Sequence, residues 1–252
     1  MTWKVNKIMN LRIPGAILLA ILVAASAFGP CAFAQSDNAA LEKVLTKMDD
    51  VAKDFRSLES SFVWDHYTQL VDEHEISRGE IYFKREGNQM AMAADIAGTP
   101  KKGDAAAVPP KYILYGDGEV QIYNPKIDTV NVYKPGKNRE AVESFLVLGF
   151  GGRGQDLRKS YDLKYLGTEK VEGVETAKLE LIPKSEKARG MFPKIVLWID
   201  PQQGVSVQQQ FFERSGDYKL AKYSEIHMNQ KLPDGVFKLK TTAKTTYLPP
   251  QG

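Results

Sequence analysis

Two periods of apolar residues divide the chain. From Asn38 the apolar positions fall at Leu41, Val44, Leu45, Met48, Val51 and Phe55, with lysine, aspartate and glutamate between them. That spacing places them on one face of a helix, which must lie on something apolar. From Phe62 the period becomes two. Phe62 and Trp64 open a strand, Ile81 and Phe83 share one face of the run GEIYFKR, and Met90 and Met92 share a face of the next. Residues 112–133, YILYGDGEVQIYNPKIDTVNVY, read as three strands, with a tight turn at Asp117-Gly118 and a break at Asn124-Pro125.

The same pattern returns near the C-terminus as strand, turn, strand. The turns fall at Glu172-Gly173, at Pro201 to Gly204 and at Pro233 to Gly235. The patch 97–110, AGTPKKGDAAAVPP, reads as a long loop, because its prolines and glycines do not sit inside a ladder. One further helix interrupts the meander. Asn138 caps it, Ala141, Val142, Phe145, Leu146 and Leu148 give it an apolar face, and the glycines from Gly149 stop it.

Ten or eleven strands and two helices predict a mainly β fold with helices (α+β). In it a strongly curved antiparallel sheet has its concave face closed by helices. Ile81, Phe83, Met90, Met92, Ile113, Tyr115, Val120, Ile122, Leu179, Leu181, Ile195, Leu197, Ile199, Val205, Val207 and Phe211 alternate toward that interior. Periodicity leaves two readings open, a filled core or a cavity for an acyl chain. The methionines suit the second, since a flexible thioether stem repacks around varied cargo.

Composition changes this picture mainly through the N-terminus. Lys4, Lys7 and Arg12 precede the apolar run AILLAILVAASAF and the small-residue triplet Ala32-Phe33-Ala34. Residues 1–34 therefore read as a secretory signal cleaved after Ala34, which implies an exported protein of one domain, 35–252. The run is shorter than the roughly 20 residues of a spanning helix. Phe28-Gly29-Pro30 before Cys31 does not fit a lipidation signal, and beyond Ala34 there is no cysteine for a disulfide or a thiolate site. The chain has 34 basic and 31 acidic residues, and three of the basic ones lie in the signal, so the remainder is balanced. No clustered lysine or arginine marks a nucleic-acid surface.

Candidate chemistry is thin. Gly149 to Gly154 matches G-x-G-x-x-G but follows a predicted helix instead of a strand, so it reads as a flexible loop. His66, His74 and His227 are far apart, and Asp72 to Glu75 reads as a solvated hairpin tip. No apolar setting surrounds Asp49 and Asp50, or Glu59 and Asp65, that would separate their pKa values. No catalytic residue, metal site or cofactor is expected.

Several strings, in order, resemble the periplasmic outer-membrane lipoprotein carrier family, the LolA-like proteins. They are Phe55-Arg56-Ser57-Leu58 with Ser60-Ser61-Phe62, then Gly79 to Arg85, Tyr115 to Gly118 with Tyr123-Asn124-Pro125, and Asn229 to Phe237 as a closing strand. The resemblance spans about Leu41 to Leu239 and implies a monomeric carrier. Such a carrier takes acylated lipoproteins, or other lipidated cargo, from an inner-membrane ATP-binding-cassette transporter and passes them to an outer-membrane acceptor. It implies an incomplete β-barrel closed by a helical lid, a cargo cavity of Ile81, Phe83, Met90, Met92, Ile122, Val142, Phe145 and Leu146, and a lid held shut by Arg85. Glu86 stands where the family often has proline. Lipid-sensing and glycolipid-binding envelope proteins share the fold, so the fold alone does not name the cargo.

Overall fold

The computed structural model describes residues 31–87, 89–97, 111–136 and 139–250, with side chains for all of these except 31–36, 140–142 and 146. Most of the expected export signal, Asn138 and most of the 97–110 loop lie outside the described residues. Asp37–Gly252 form one unit, which contains everything below except the helical residues 31–36.

Tight turns generate two meanders. The first runs β1 (Ser57–Thr68), β2 (Glu73–Glu86), β3 (Gln89–Ala97), β4 (Lys111–Gly116), β5 (Glu119–Asn124) and β6 (Thr129–Tyr133). The second runs β7 (Tyr161–Val171), β8 (Val174–Pro183), β9 (Lys194–Asp200), β10 (Val205–Phe212) and β11 (Tyr218–Met228), followed after a gap by β12 (Thr246–Tyr247). Asp117 and Glu172 each take a positive φ, 50° and 47°, and a glycine with positive φ follows each. These are the paired positions of a two-residue hairpin, as the Asp-Gly and Glu-Gly dipeptides predict.

The meanders join where β1 pairs antiparallel with β11, from Leu58 opposite Met228 to Tyr67 opposite Tyr218. The result is a twelve-stranded sheet in the order β12-β6-β5-β4-β3-β2-β1-β11-β10-β9-β8-β7. Its edge strands β12 and β7 do not pair, so the barrel is incomplete. Bulges help to curve it, one between Ser206 and Gln208 and another between Tyr165 and Thr168.

Topology places the helices. β6 and β7 lie at or next to opposite edges, so the chain between them must cross the sheet, and it does so through α2 (Arg139–Leu146) and α3 (Gly154–Ser160). α1 (Cys31–Asp54) precedes the central strand β1 and packs Leu41, Val44, Leu45 and Met48 against Leu179, Leu181, Ile195, Leu197 and Ile199. A second cluster joins Phe55 and Phe150 to Leu58, Phe62, Ile81, Phe83, Met92 and Tyr115. α1 and α3 cross closely. A Cβ on Gly154 would sit 2.4 Å from the Leu45 carbonyl oxygen, so only glycine permits this approach. The Asp49 carboxylate accepts from the Gln155 amide at 3.3 Å, and Arg158 pairs with Glu42.

Four expectations are corrected. There are twelve strands and four helices among the described residues, since α3 and α4 (Glu186–Met191) are too short to show a helical period. Val207, expected inward, is the extra residue of the β10 bulge and packs outward with Val171, Val196 and Trp198. Glu73 to Glu75 belong to β2, and the turn lies at 69–72. The closing strand is absent: Asn229, at φ 58°, ends β11, and the chain runs irregularly to Thr246, with Leu239 packed against Tyr123, Val130 and Val132.

Candidate functional site

The first and second meanders contribute facing walls of an apolar cavity of about 480 Å³ on the concave side. Trp64, Ile81, Phe83, Met92, Ile113, Val120 and Ile122 come from β1 to β5, and Ala221, Tyr223 and Phe211 from β10 and β11. Phe145 on α2 and Phe192 after α4 form an aromatic corner with Phe211, at 5.2, 6.3 and 5.0 Å between ring centres. Polar side chains sit at one end: Asp65, His66, Glu75, Ser77 and Lys219. The volume lies within the roughly 300–1,000 Å³ of small-molecule sites.

Of the eight cavity residues expected, Ile81, Phe83, Met92, Ile122 and Phe145 line this space. Met90 lies one ladder step beyond, in a separate recess with Tyr115, Arg139 and Glu143. The side chains of Val142 and Leu146 lie outside those described.

Arg85 ties two elements together. Its guanidinium donates to the Ala52 carbonyl of α1 at 2.7 Å and to the Gly151 carbonyl at 2.6 Å, and it lies 5.6 Å from the centre of the Phe55 ring. Both bonds are charge-assisted and the acceptor residues are buried, which makes each worth more than a neutral surface bond. Glu86 turns away to pair with Lys84 at 2.6 Å.

The glycine run is pinned where the sequence suggested flexibility. The Leu148 carbonyl accepts from Gln209 Nε2 at 2.5 Å, the Gly149 carbonyl from the Ser206 amide at 2.9 Å, and the Gly151 carbonyl from Arg85. Gly151 has φ +67° and the Phe55 ring within 2.5 Å of where a Cβ would stand, so the backbone can pass only as glycine. Between these anchors Phe150 points inward, 1% exposed, stacked on Phe83 and edge-on to Tyr223 at 4.7 Å each. Phe150 was missed because an aromatic among glycines has no period to betray it. Burial pushes the Tyr223 hydroxyl pKa upward, and that hydroxyl donates to Gln209 Oε1 at 3.3 Å.

α2 is held by a polar pair. The Tyr115 hydroxyl donates to the Glu143 carboxylate, which also accepts from Arg139 Nε at 2.7 Å. Burial raises the Glu143 pKa, but the Tyr115 and Arg139 bonds outweigh it and hold the carboxyl below its ordinary range. Burial and the Glu143 bond push Tyr115 well above the ordinary tyrosine value. A depressed carboxyl stabilises above its unfolded pKa, about 4.3, and that contribution vanishes as pH falls through the folded value. Amide protection at Val147 and Leu148, measured by hydrogen exchange, is therefore expected to drop below about pH 4. Glu143→Gln should show weaker protection that no longer changes there.

Among the described residues no three histidine, cysteine or acidic side chains are placed to hold a metal. His66, His74 and His227 are not gathered into one site. His74 Nδ1 instead meets the Asp65 carboxylate at 2.8 Å.

A family model described as an uncharacterized protein matches residues 114–245, just over half of the chain. Comparison with curated proteins finds no match. Among solved structures, an uncharacterized conserved protein from Thermus thermophilus has TM-score 0.51 at 10% identity, covering 84% of this chain and 99% of its own. An outer membrane lipoprotein-sorting protein domain from Vibrio parahaemolyticus has TM-score 0.43 at 14% identity, with coverage of 81% and 97%. A LolA superfamily protein from Nitrosomonas europaea has TM-score 0.39 at 14% identity, with coverage of 79% and 97%.

Proposed function

We propose that this chain, which belongs to the family whose model matches its residues 114–245, is a periplasmic carrier that shelters acyl chains of lipoproteins in its cavity and moves them from the inner to the outer membrane. The observation that carries the reading is the apolar cavity between the curved sheet and the aromatic corner of Phe145, Phe192 and Phe211. An acyl chain gains about 0.8 kcal/mol per methylene removed from water, so ten methylenes supply on the order of 8 kcal/mol before the cost of ordering. The family resemblance at Arg85 adds the latch, and with it a transporter in the inner membrane as donor and an outer-membrane protein as acceptor. The latch has to yield when cargo arrives. Two hydrogen bonds to backbone carbonyls, worth about 1.5–3 kcal/mol each, are within reach of that gain.

Uptake of a fluorescent triacylated lipopeptide by the purified protein tests this. Micromolar binding is expected, with at least a tenfold loss in Phe145→Asp, which sets a carboxylate among Phe192 and Phe211. Release to acceptor vesicles separates a carrier from a lipid-sensing or glycolipid-binding protein of this fold, which would bind without handing over. An absence of uptake, with no lipid extracted from the freshly purified protein, overturns the reading.

A further inference from the structure

The turn between β1 and β2 exposes two adjacent aliphatic side chains, Leu70 at 93% and Val71 at 58%. Scattered exposed apolar residues are ordinary, but this pair stands at the tip of the 57–86 hairpin, whose strands supply Trp64, Asp65, His66, Glu75 and Ser77 to the cavity.

The tip is braced. The Gln69 amide donates to Asp217 Oδ1 at 2.8 Å, tying the turn to the neighbouring β10–β11 hairpin, and the Tyr67 hydroxyl donates to Asp72 at 3.0 Å. Tyr67 also stacks on Tyr218 at 5.0 Å and lies against His74 at 4.8 Å. An apolar pair held in one conformation avoids much of the ordering cost of binding.

The hairpin end itself is acidic, and the lysine opposite it on β11, Lys219, is paired with Glu213 at 2.9 Å. Residues 65–75 contain Asp65, Asp72, Glu73 and Glu75 and no lysine or arginine, although the chain beyond Ala34 is balanced in charge. Asp65 pairs with His74, whereas Glu73 and Glu75 have no ion-pair partner among the described residues. Anionic membrane surfaces attract basic segments and repel acidic ones, and two aliphatic side chains without basic residues fall short of a stable membrane anchor. An apolar centre within a charged rim is instead the arrangement of a protein–protein anchor point.

We infer that the β1–β2 tip docks a protein partner that presents an apolar pocket ringed by lysine or arginine side chains. The contact would place that partner beside the polar end of the cavity. The docking inference stands on the tip alone and does not require that the cavity carry lipoprotein.

A photoreactive benzoylphenylalanine in place of Val71, in the full chain expressed in cells, tests it. A discrete protein adduct is expected, absent when the probe replaces Ile127, another exposed apolar residue at 63%. Adding Glu73→Lys should cut its yield at least fivefold, and Leu70→Ser should do the same. Lipopeptide uptake by these variants should be unchanged, which shows that they fold and keeps failure of docking separate from failure of the carrier reading. An adduct to lipid, flotation with vesicles of phosphatidylethanolamine and phosphatidylglycerol, an adduct only to a second copy, a yield indifferent to charge reversal, or no adduct overturns the inference.

Discussion

Phe150→Ala is expected to lower stability by about 3–5 kcal/mol, the range for emptying a fully buried aromatic site, and the melting temperature by roughly 10 °C for a chain of this size. The ring stacks on Phe83 and meets Tyr223 edge-on, and both of these also line the cavity. The void left behind therefore opens toward the cavity, where neighbours have little to collapse onto. Thermal unfolding reads the first effect, and the second is read by a bulkier lipopeptide that the native protein binds weakly and the variant binds more tightly. A melting point within about 2 °C of the native one would show that Phe150 is not the keystone its contacts indicate.

Arg85→Leu comes next in size. It removes both donors to the Ala52 and Gly151 carbonyls and the contact with Phe55, at a cost of about 3 kcal/mol, the lower end of what two charge-assisted bonds contribute, because water reaches the part-exposed guanidinium. Those carbonyls belong to α1 and the glycine loop, so the loss falls on the closure of the helices over the sheet, while the strand pairing of β2 is untouched. The protein is expected to stay folded and to exchange lipopeptide faster, with hydrogen-exchange protection falling around Ser206, whose amide bonds Gly149. Arg85→Lys should recover only part of this, because one ammonium group does not span both acceptors as the guanidinium fork does. Equal exchange rates in native and Arg85→Leu proteins would reduce Arg85 to a structural tie.

What the sequence displayed was whatever repeats locally. The apolar face of α1, the alternation at Ile81 and Phe83, and the Asp117 and Glu172 turns are fixed by neighbours a few residues away, and all are where periodicity placed them. Arg85 was legible only through its resemblance, since a charge at a strand end has no partner visible in the sequence. The pinning of 148–151 depends on Ser206 and Gln209, some sixty residues downstream, and a glycine-rich string looks the same whether it is tied or loose. Val207 failed for a related reason: a single bulged residue reverses inward and outward, and nothing in the alternation of β10 announces it.

The seam between β1 and β11 also governs how the molecule comes together. Each meander is built from neighbours in sequence, but the seam joins Leu58 to Met228, and closing so long a loop is among the slower steps available to a chain. α1 reaches its bed on the second meander from the start of the first, so its docking on Leu179, Leu181 and Ile195 waits on the same event. A chain emerging N-terminus first presents β1 to β6 before the strands of the second meander exist. The chamber exists only once the two are stitched, so the hollow between them is expected to be the last feature of the fold to form.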